Sequence, residues 1–160
     1  MEEVIHKFYT AFNRLDYETM HSCYHQDIKF EDPVFGVLMG ERAKNMWEML
    51  CESQKEKEFS VTHYNVLISG NTGSATWEAQ YFYGKANRKV NNIIKAHFEF
   101  KDGLIVKHTD KFNLRKWAAQ ALGTKGKILG GTIYFKRKLR ARSLGLLRNF
   151  EAKKLPKLAS

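Results

Sequence analysis

The sequence predicts an α+β fold, in which a curved antiparallel sheet wraps around N-terminal helices and is followed by a helical C-terminal extension. Three observations carry this. Apolar residues recur at helical spacing through residues 1–54, alternate at a period of two through 59–113, and return to helical spacing from Leu114 onward. Helices followed by an unbroken run of strands form the α+β pattern. A chain of 160 residues suits one domain and can bury a substantial core.

The elements follow in order. Val4, Ile5, Phe8, Tyr9, Phe12 and Leu15 make an amphipathic first helix. Asp16 can cap a second helix from Tyr17 to about Tyr24. Ile28, Phe30 and Asp32 alternate as a short strand, and Gly36 and Gly40 bracket the brief Val37-Leu38-Met39 stretch. A third helix covers about 41–54, with Ala43, Met46, Trp47 and Leu50 on one face. Strands are expected at 59–69, 74–84, 90–101 and 104–113, separated by turn signals at Gly70-Asn71-Thr72-Gly73, Lys85-Ala86-Asn87-Arg88 and Lys101-Asp102-Gly103. Their parities put Trp77, Ala79, Tyr81 and Tyr83 together, then Asn92, Ile94, Ala96, Phe98 and Phe100, then Val106, His108, Asp110 and Phe112. The concave face of such a sheet would line a cavity. Helices then span 114–122 and about 133–154, with a Gly-rich break at Leu129-Gly130-Gly131.

Charge divides the chain in two. The net charge is +10, yet residues 1–122 hold 16 Lys/Arg against 16 Asp/Glu. Residues 123–160 hold 11 Lys/Arg and a single acid, Glu151. The body is neutral and the tail basic, so any nucleic-acid reading belongs to the tail. Cys23 and Cys51 fall in helical patterns without CxxC or Cys/His spacing, which points to reduced, packed thiols. His6, His21, His25 and His63 show no metal spacing, and no metal or cofactor is expected. No apolar run approaches the ~18 residues of a membrane span. Acids stand where a secretory leader would carry bases, so the expected location is cytoplasmic.

Asp32, in Phe30-Glu31-Asp32-Pro33-Val34-Phe35-Gly36, is the leading candidate for chemistry. A carboxylate set among apolar residues has a raised pKa, which suits a general base or acid near neutral pH. An Asp-Pro pair is also a common turn element, so both readings stand on spacing alone.

The order of elements together with Glu31-Asp32-Pro33-Val34 resembles the nuclear transport factor 2-like superfamily, which includes the ketosteroid isomerases and the SnoaL-like polyketide cyclases. The resemblance covers roughly residues 1–113. It implies a cone-shaped, cystatin-like fold for that domain, with 114–160 as a basic helical extension packed on it. Within Phe8 to Gly36 the chain is similar to a steroid isomerase. There Tyr9 matches the tyrosine that donates to the oxyanion, and Asp32 matches the proton-shuttling base. The second oxyanion donor matches Ala96, which cannot donate, and this argues against steroid isomerisation. The run from Gly103 to Asp110 resembles the last-strand pattern in which SnoaL-like proteins keep an acid. Asp110 matches that acid, and His108 shares its face. The tail from Lys111 to Gly123 resembles uncharacterised bacterial members of the superfamily.

The resemblance thus implies a catalytic set of Asp32, Asp110, His108 and Tyr9. Trp47, Trp77, Tyr81 and Asn92 would bind ligand, although aromatic rows at such spacing also make plain core. The expected function is binding of a small, largely apolar, carbonyl- or epoxide-type molecule in the cone cavity, with cofactor-free isomerase, cyclase or hydrolase chemistry. The alternative is a non-catalytic ligand-binding module or dimerising partner domain, and a homodimer is expected on either reading. The basic tail has three readings, in order: a packing helix with solvated charges, an amphipathic contact with an anionic membrane surface, and a nucleic-acid contact through residues 123–160.

Overall fold

A computed structural model describes residues 1–154; the last six positions of the basic extension lie outside the described residues. The elements are α1 (Glu2–Asn13), α2 (Tyr17–Ser22), β1 (Tyr24–Asp32), β2 (Gly36–Met39), α3 (Glu41–Gln54), β3 (Ser60–Ser69), β4 (Thr72–Tyr83), β5 (Arg88–Lys101), β6 (Leu104–Lys111), α4 (Leu114–Leu122), α5 (Thr124–Leu129) and α6 (Ile133–Lys154). The fold is α+β as expected: one six-stranded curved sheet, order β2-β1-β6-β5-β4-β3, holds α1 and α3 in its concavity.

Local chemistry sets the boundaries. Asp16 caps α2 by accepting from the Thr19 amide at 3.0 Å, and Asn113 caps α4 from the Lys116 amide at 2.9 Å. Asp102 and Gly103 both take positive φ, which closes the β5–β6 hairpin as a tight turn. Several bounds differ from the expected ones: β4 opens at Thr72 and β5 at Arg88, both inside expected turns, and β6 closes at Lys111. Helix α2 ends at Ser22, so Tyr24 opens β1 instead of closing a helix. A short helix, α5, fills part of the segment expected only as a break.

The sheet is antiparallel except at one junction, where β1 runs parallel to β6 with Phe30 opposite His108. On its other side β6 sets His108 opposite Phe98 and Asp110 opposite Ala96. Continuing the β1–β6 register by two residues brings Asp32 beside Asp110. One row across the sheet therefore reads Asp32, Asp110, Ala96, Ala75. Both carboxylates thus lie on one side of two of the smallest side chains in the sheet.

The main core is aromatic. Ile5, Phe8, Tyr9 and Phe12 from α1 meet Ala43, Met46, Trp47 and Cys51 from α3 against Phe30, Trp77, Ile94 and Phe98 of the sheet. A second cluster sits at the mouth of the cone, where Trp117, Ala118 and Ala121 of α4 join Leu139 of α6 and Val90 of β5. Helix α6 then continues along α3 and delivers Leu147, fully buried, into the main core. Gly126 is forced by this layer, because a Cβ there would lie 1.8 Å from the Ala118 carbonyl oxygen.

Candidate functional site

The concave side of the sheet is filled, not hollow. Phe8 and Phe12 pack on Trp47 with ring centroids 5.3 and 5.1 Å apart, Tyr9 lies 5.5 Å from Trp77, and Phe98 lies 4.6 Å from His108. Trp47 and Trp77 are core residues, as their spacing allowed, and their indole nitrogens also anchor the interior's polar groups. The expected interior cavity is occupied because α1 and α3 each turn large aromatic residues into it.

Through this aromatic interior runs a chain of hydrogen bonds. Trp47 Nε1 donates to the Tyr24 hydroxyl oxygen at 2.8 Å. That hydroxyl lies 2.7 Å from His108 Nδ1, and His108 Nε2 lies 3.0 Å from Asp110 Oδ1. The same carboxylate oxygen accepts from Trp77 Nε1 at 3.2 Å. Both ends are indole N–H groups, which only donate. Every proton in the chain finds an acceptor in one arrangement: Tyr24 donates to Nδ1, and His108 carries its proton on Nε2 and donates it to Asp110. The pattern thus assigns a neutral imidazole. Burial pushes the Tyr24 hydroxyl well above its ordinary pKa, with the Asp110 charge adding to this, so Tyr24 stays a donor.

Asp32 stands at the mouth-side end of β1. Its Oδ1 accepts from the Val34 amide at 3.0 Å and the Phe35 amide at 2.6 Å, closing the turn that carries Pro33. The turn reading is therefore realised in this side chain. Burial carries its pKa from 3.8 up to about 7, against the lowering effect of those amides and with help from the neighbouring Asp110 charge.

Tyr9 is fully buried and its hydroxyl has no hydrogen-bond partner among the described residues. Desolvation raises its pKa well above 10, and Asp110 is the next cause. Buried unpartnered hydroxyls are uncommon in native proteins. Asp110 acts on Asp32 and Tyr9 alike, so the three oxygens share one electrostatic neighbourhood.

The remaining expected residues sit nearer the mouth. Tyr81 is half-buried and its hydroxyl accepts from Trp117 Nε1 at 2.8 Å; burial raises its pKa to about 12. Asn92 lies half-buried on the inward face of β5, opposite Ala79. The structure thus brings Asp32, Asp110, His108 and Tyr9 together with Trp47 and Trp77, and leaves Tyr81 and Asn92 at the rim. Tyr24 and Trp117 complete these networks and were not among the expected site residues. The signal for Tyr24 was its even-numbered parity with Ile28, Phe30 and Asp32, hidden by an irregularity in the β1 register. Among the described residues, no cluster of three or more His, Cys, Asp or Glu could hold a metal ion.

Clefts open on the surface of the described residues, and two bear on the site. One, of about 470 Å³, lies on the outer side of the sheet by His97, Glu99, Lys107 and Thr109. The other, of about 290 Å³, lies at the mouth, lined by Pro33, Phe112, Leu114, Gly131, Ile133 and Lys136 among others. It begins one residue past Asp32 and two past Asp110.

The SnoaL-like domain family matches residues 5–108. No curated protein sequence matches the chain. Solved structures resemble it in fold. A protein provisionally described as a polyketide cyclase from Xanthomonas campestris aligns with a TM-score of 0.58 at 17% identity, over 74% of this chain and 94% of that one. An LEH-like epoxide hydrolase from M. tuberculosis aligns at 0.61 and 19% identity, over 79% and 90%. A hypothetical protein with a ketosteroid isomerase-like fold from Catenulispora acidiphila, solved with trimethylamine, aligns at 0.62 and 12% identity, over 74% and 92%.

Proposed function

We propose, from the premise that the chain belongs to the SnoaL-like domain family, that it binds a small, largely apolar, carbonyl- or epoxide-type molecule and transforms it by acid/base chemistry. The observation that carries this reading is the shared neighbourhood of Asp32, Asp110 and the unpartnered Tyr9 hydroxyl. A carboxyl group with a pKa of about 7 can take up and return a proton near neutral pH. A buried hydroxyl with no acceptor of its own can donate to a developing oxyanion once the substrate displaces the rings packed around it. Burial does most to bring the Asp32 pKa near neutral, and the neighbouring Asp110 charge adds to it.

The substrate would enter by the mouth cleft, with its apolar portion against Pro33, Phe112 and Leu114 and its reactive end toward Asp32. The neighbours described as a polyketide cyclase and an epoxide hydrolase suggest these two substrate classes. Cyclisation, isomerisation and epoxide opening each require a base and a donor to oxygen. On this reading, Asp32 takes up and returns the proton and Tyr9 donates to the oxygen, while the Asp110 carboxylate, held by His108 and Trp77, positions the pair.

A second reading is a module without turnover: Ala96 opposite Asp110 favours it, and the filled interior favours its partner-domain form over a carrier. Small aryl and aliphatic epoxides and β-keto esters, offered in deuterated buffer, separate the two readings by ring opening or by exchange at the acidic carbon. The catalytic reading expects turnover that falls at least a hundredfold in Asp32→Asn with the fold retained. Full activity in that variant would sink the Asp32 assignment, and inert wild type with measurable binding would favour the carrier.

A further inference from the structure

Helix α6 uses one stripe for the body of the protein. Leu139, Ser143 and Leu147 are buried, and Glu151 pairs with Arg42. The outer surface of α5 and α6 is left with a composition unlike the rest of the molecule. It exposes Lys125, Lys127, Lys136, Arg137, Lys138, Arg142, Arg148 and Lys153, and no exposed acid stands among them. At the corner where α5 gives way to α6, large apolar side chains are also exposed: Ile128 at 71%, Ile133 at 73% and Tyr134 at 65%, with Leu129 beside them. These four residues lie within seven consecutive positions, folded back on one another by Gly130-Gly131-Thr132. Lys138 rests its ammonium 5.4 Å from the Tyr134 ring centroid, so cation and aromatic ring form one surface.

We infer that this corner is a docking surface for an anionic lipid bilayer. Charge complementarity selects a polyanionic partner. The apolar residues select among polyanions: a phosphodiester backbone offers nothing to exposed Ile128, Leu129 and Ile133, whereas the acyl boundary of a bilayer does. Tyrosine is enriched at the headgroup level, and basic residues around it are drawn to anionic lipid. The inference is independent of the catalytic reading. Among the described residues no helix is long and apolar enough to cross a membrane, so the contact is peripheral.

The test uses the full chain and vesicles of phosphatidylcholine alone or with 30% phosphatidylserine, sedimented at low and high salt. Two variants alter only exposed residues: Ile128→Ser/Ile133→Ser, and Lys127→Glu/Arg137→Glu/Lys138→Glu. Circular dichroism and thermal melting verify that both fold. Binding to the anionic vesicles should exceed binding to neutral ones by at least tenfold. It should fall at least tenfold in each variant, and salt should weaken it. Three results would overturn the inference: no sedimentation with anionic vesicles, equal sedimentation with neutral ones, or undiminished binding by the serine variant. Tight binding of an RNA or DNA duplex that the serine variant retains, without vesicle binding, would give the surface to nucleic acid instead.

Discussion

Replacing Asp32 by Asn should make the protein more stable in alkaline than in acidic solution relative to wild type. Burial and the Asp110 charge carry the Asp32 pKa from 3.8 to about 7 in the folded state. Well below pH 3.8 the group is protonated in both folded and unfolded chains and contributes no pH dependence. As pH rises toward 7, the unfolded chain ionises while the folded one holds its proton, so stability is lost progressively. The loss levels off above the folded pKa. At 1.36 kcal/mol per pH unit, the full window is worth about 4 kcal/mol. Asparagine cannot ionise, yet its amide oxygen can still accept from Val34 and Phe35, so the turn survives. Urea unfolding of both proteins at pH 4, 6 and 8 reads the effect as the difference between two curves. That difference should grow by about 4 kcal/mol in favour of the variant, most of it before pH 7. A difference changing by less than about 1 kcal/mol would mean Asp32 titrates as an ordinary carboxyl, and the acid/base reading would lose its footing.

Tyr24→Phe should leave both Trp47 Nε1 and His108 Nδ1 without partners in a dry interior, costing about 2 kcal/mol or more. Nitrogen-15 shifts of His108 should show a single Nε2–H tautomer in wild type and its disturbance in the variant; a protonated imidazole in wild type would refute the chain as drawn. Leu147→Ala should cost about 2–4 kcal/mol in global unfolding, since Leu147 is fully buried in the main core. A loss below about 0.5 kcal/mol would show that α6 is not part of the cooperative unit.

The fold was largely legible because strand parity and helical spacing are local. Trp77, Ile94, Ala96, His108 and Asp110 all face inward, as their alternation implied. The bounds of α4 and α6 agree with the expected ones, set by Asn113 and the glycines that precede α6. What local pattern could not carry was pairing. Nothing in 24–32 announces a parallel partner, so local pattern places Tyr24 on a helix and does not reveal its bond to His108. The filling of the cone was equally out of reach. Whether aromatic rings line a space or occupy it depends on how far α1 and α3 sink into the sheet, a distance that period alone does not fix. The same holds for Trp117, whose helical pattern was plain while its bond to Tyr81 depends on α4 crossing the mouth.

The single parallel junction also orders events in time. Strands β3 to β6 join through short reversals, and their pairing needs only local search. Strand β1 must find β6 across about half of the chain, with Tyr24 and His108 84 positions apart. Closing so long a loop is entropically costly and slow compared with hairpin closure. Topology therefore predicts a late step for the junction that seats Phe30 against His108 and sets Asp32 beside Asp110. A refolding chain is then expected to pair β3 to β6 before the Tyr24–His108 bond forms, an order that pulsed hydrogen exchange reads directly.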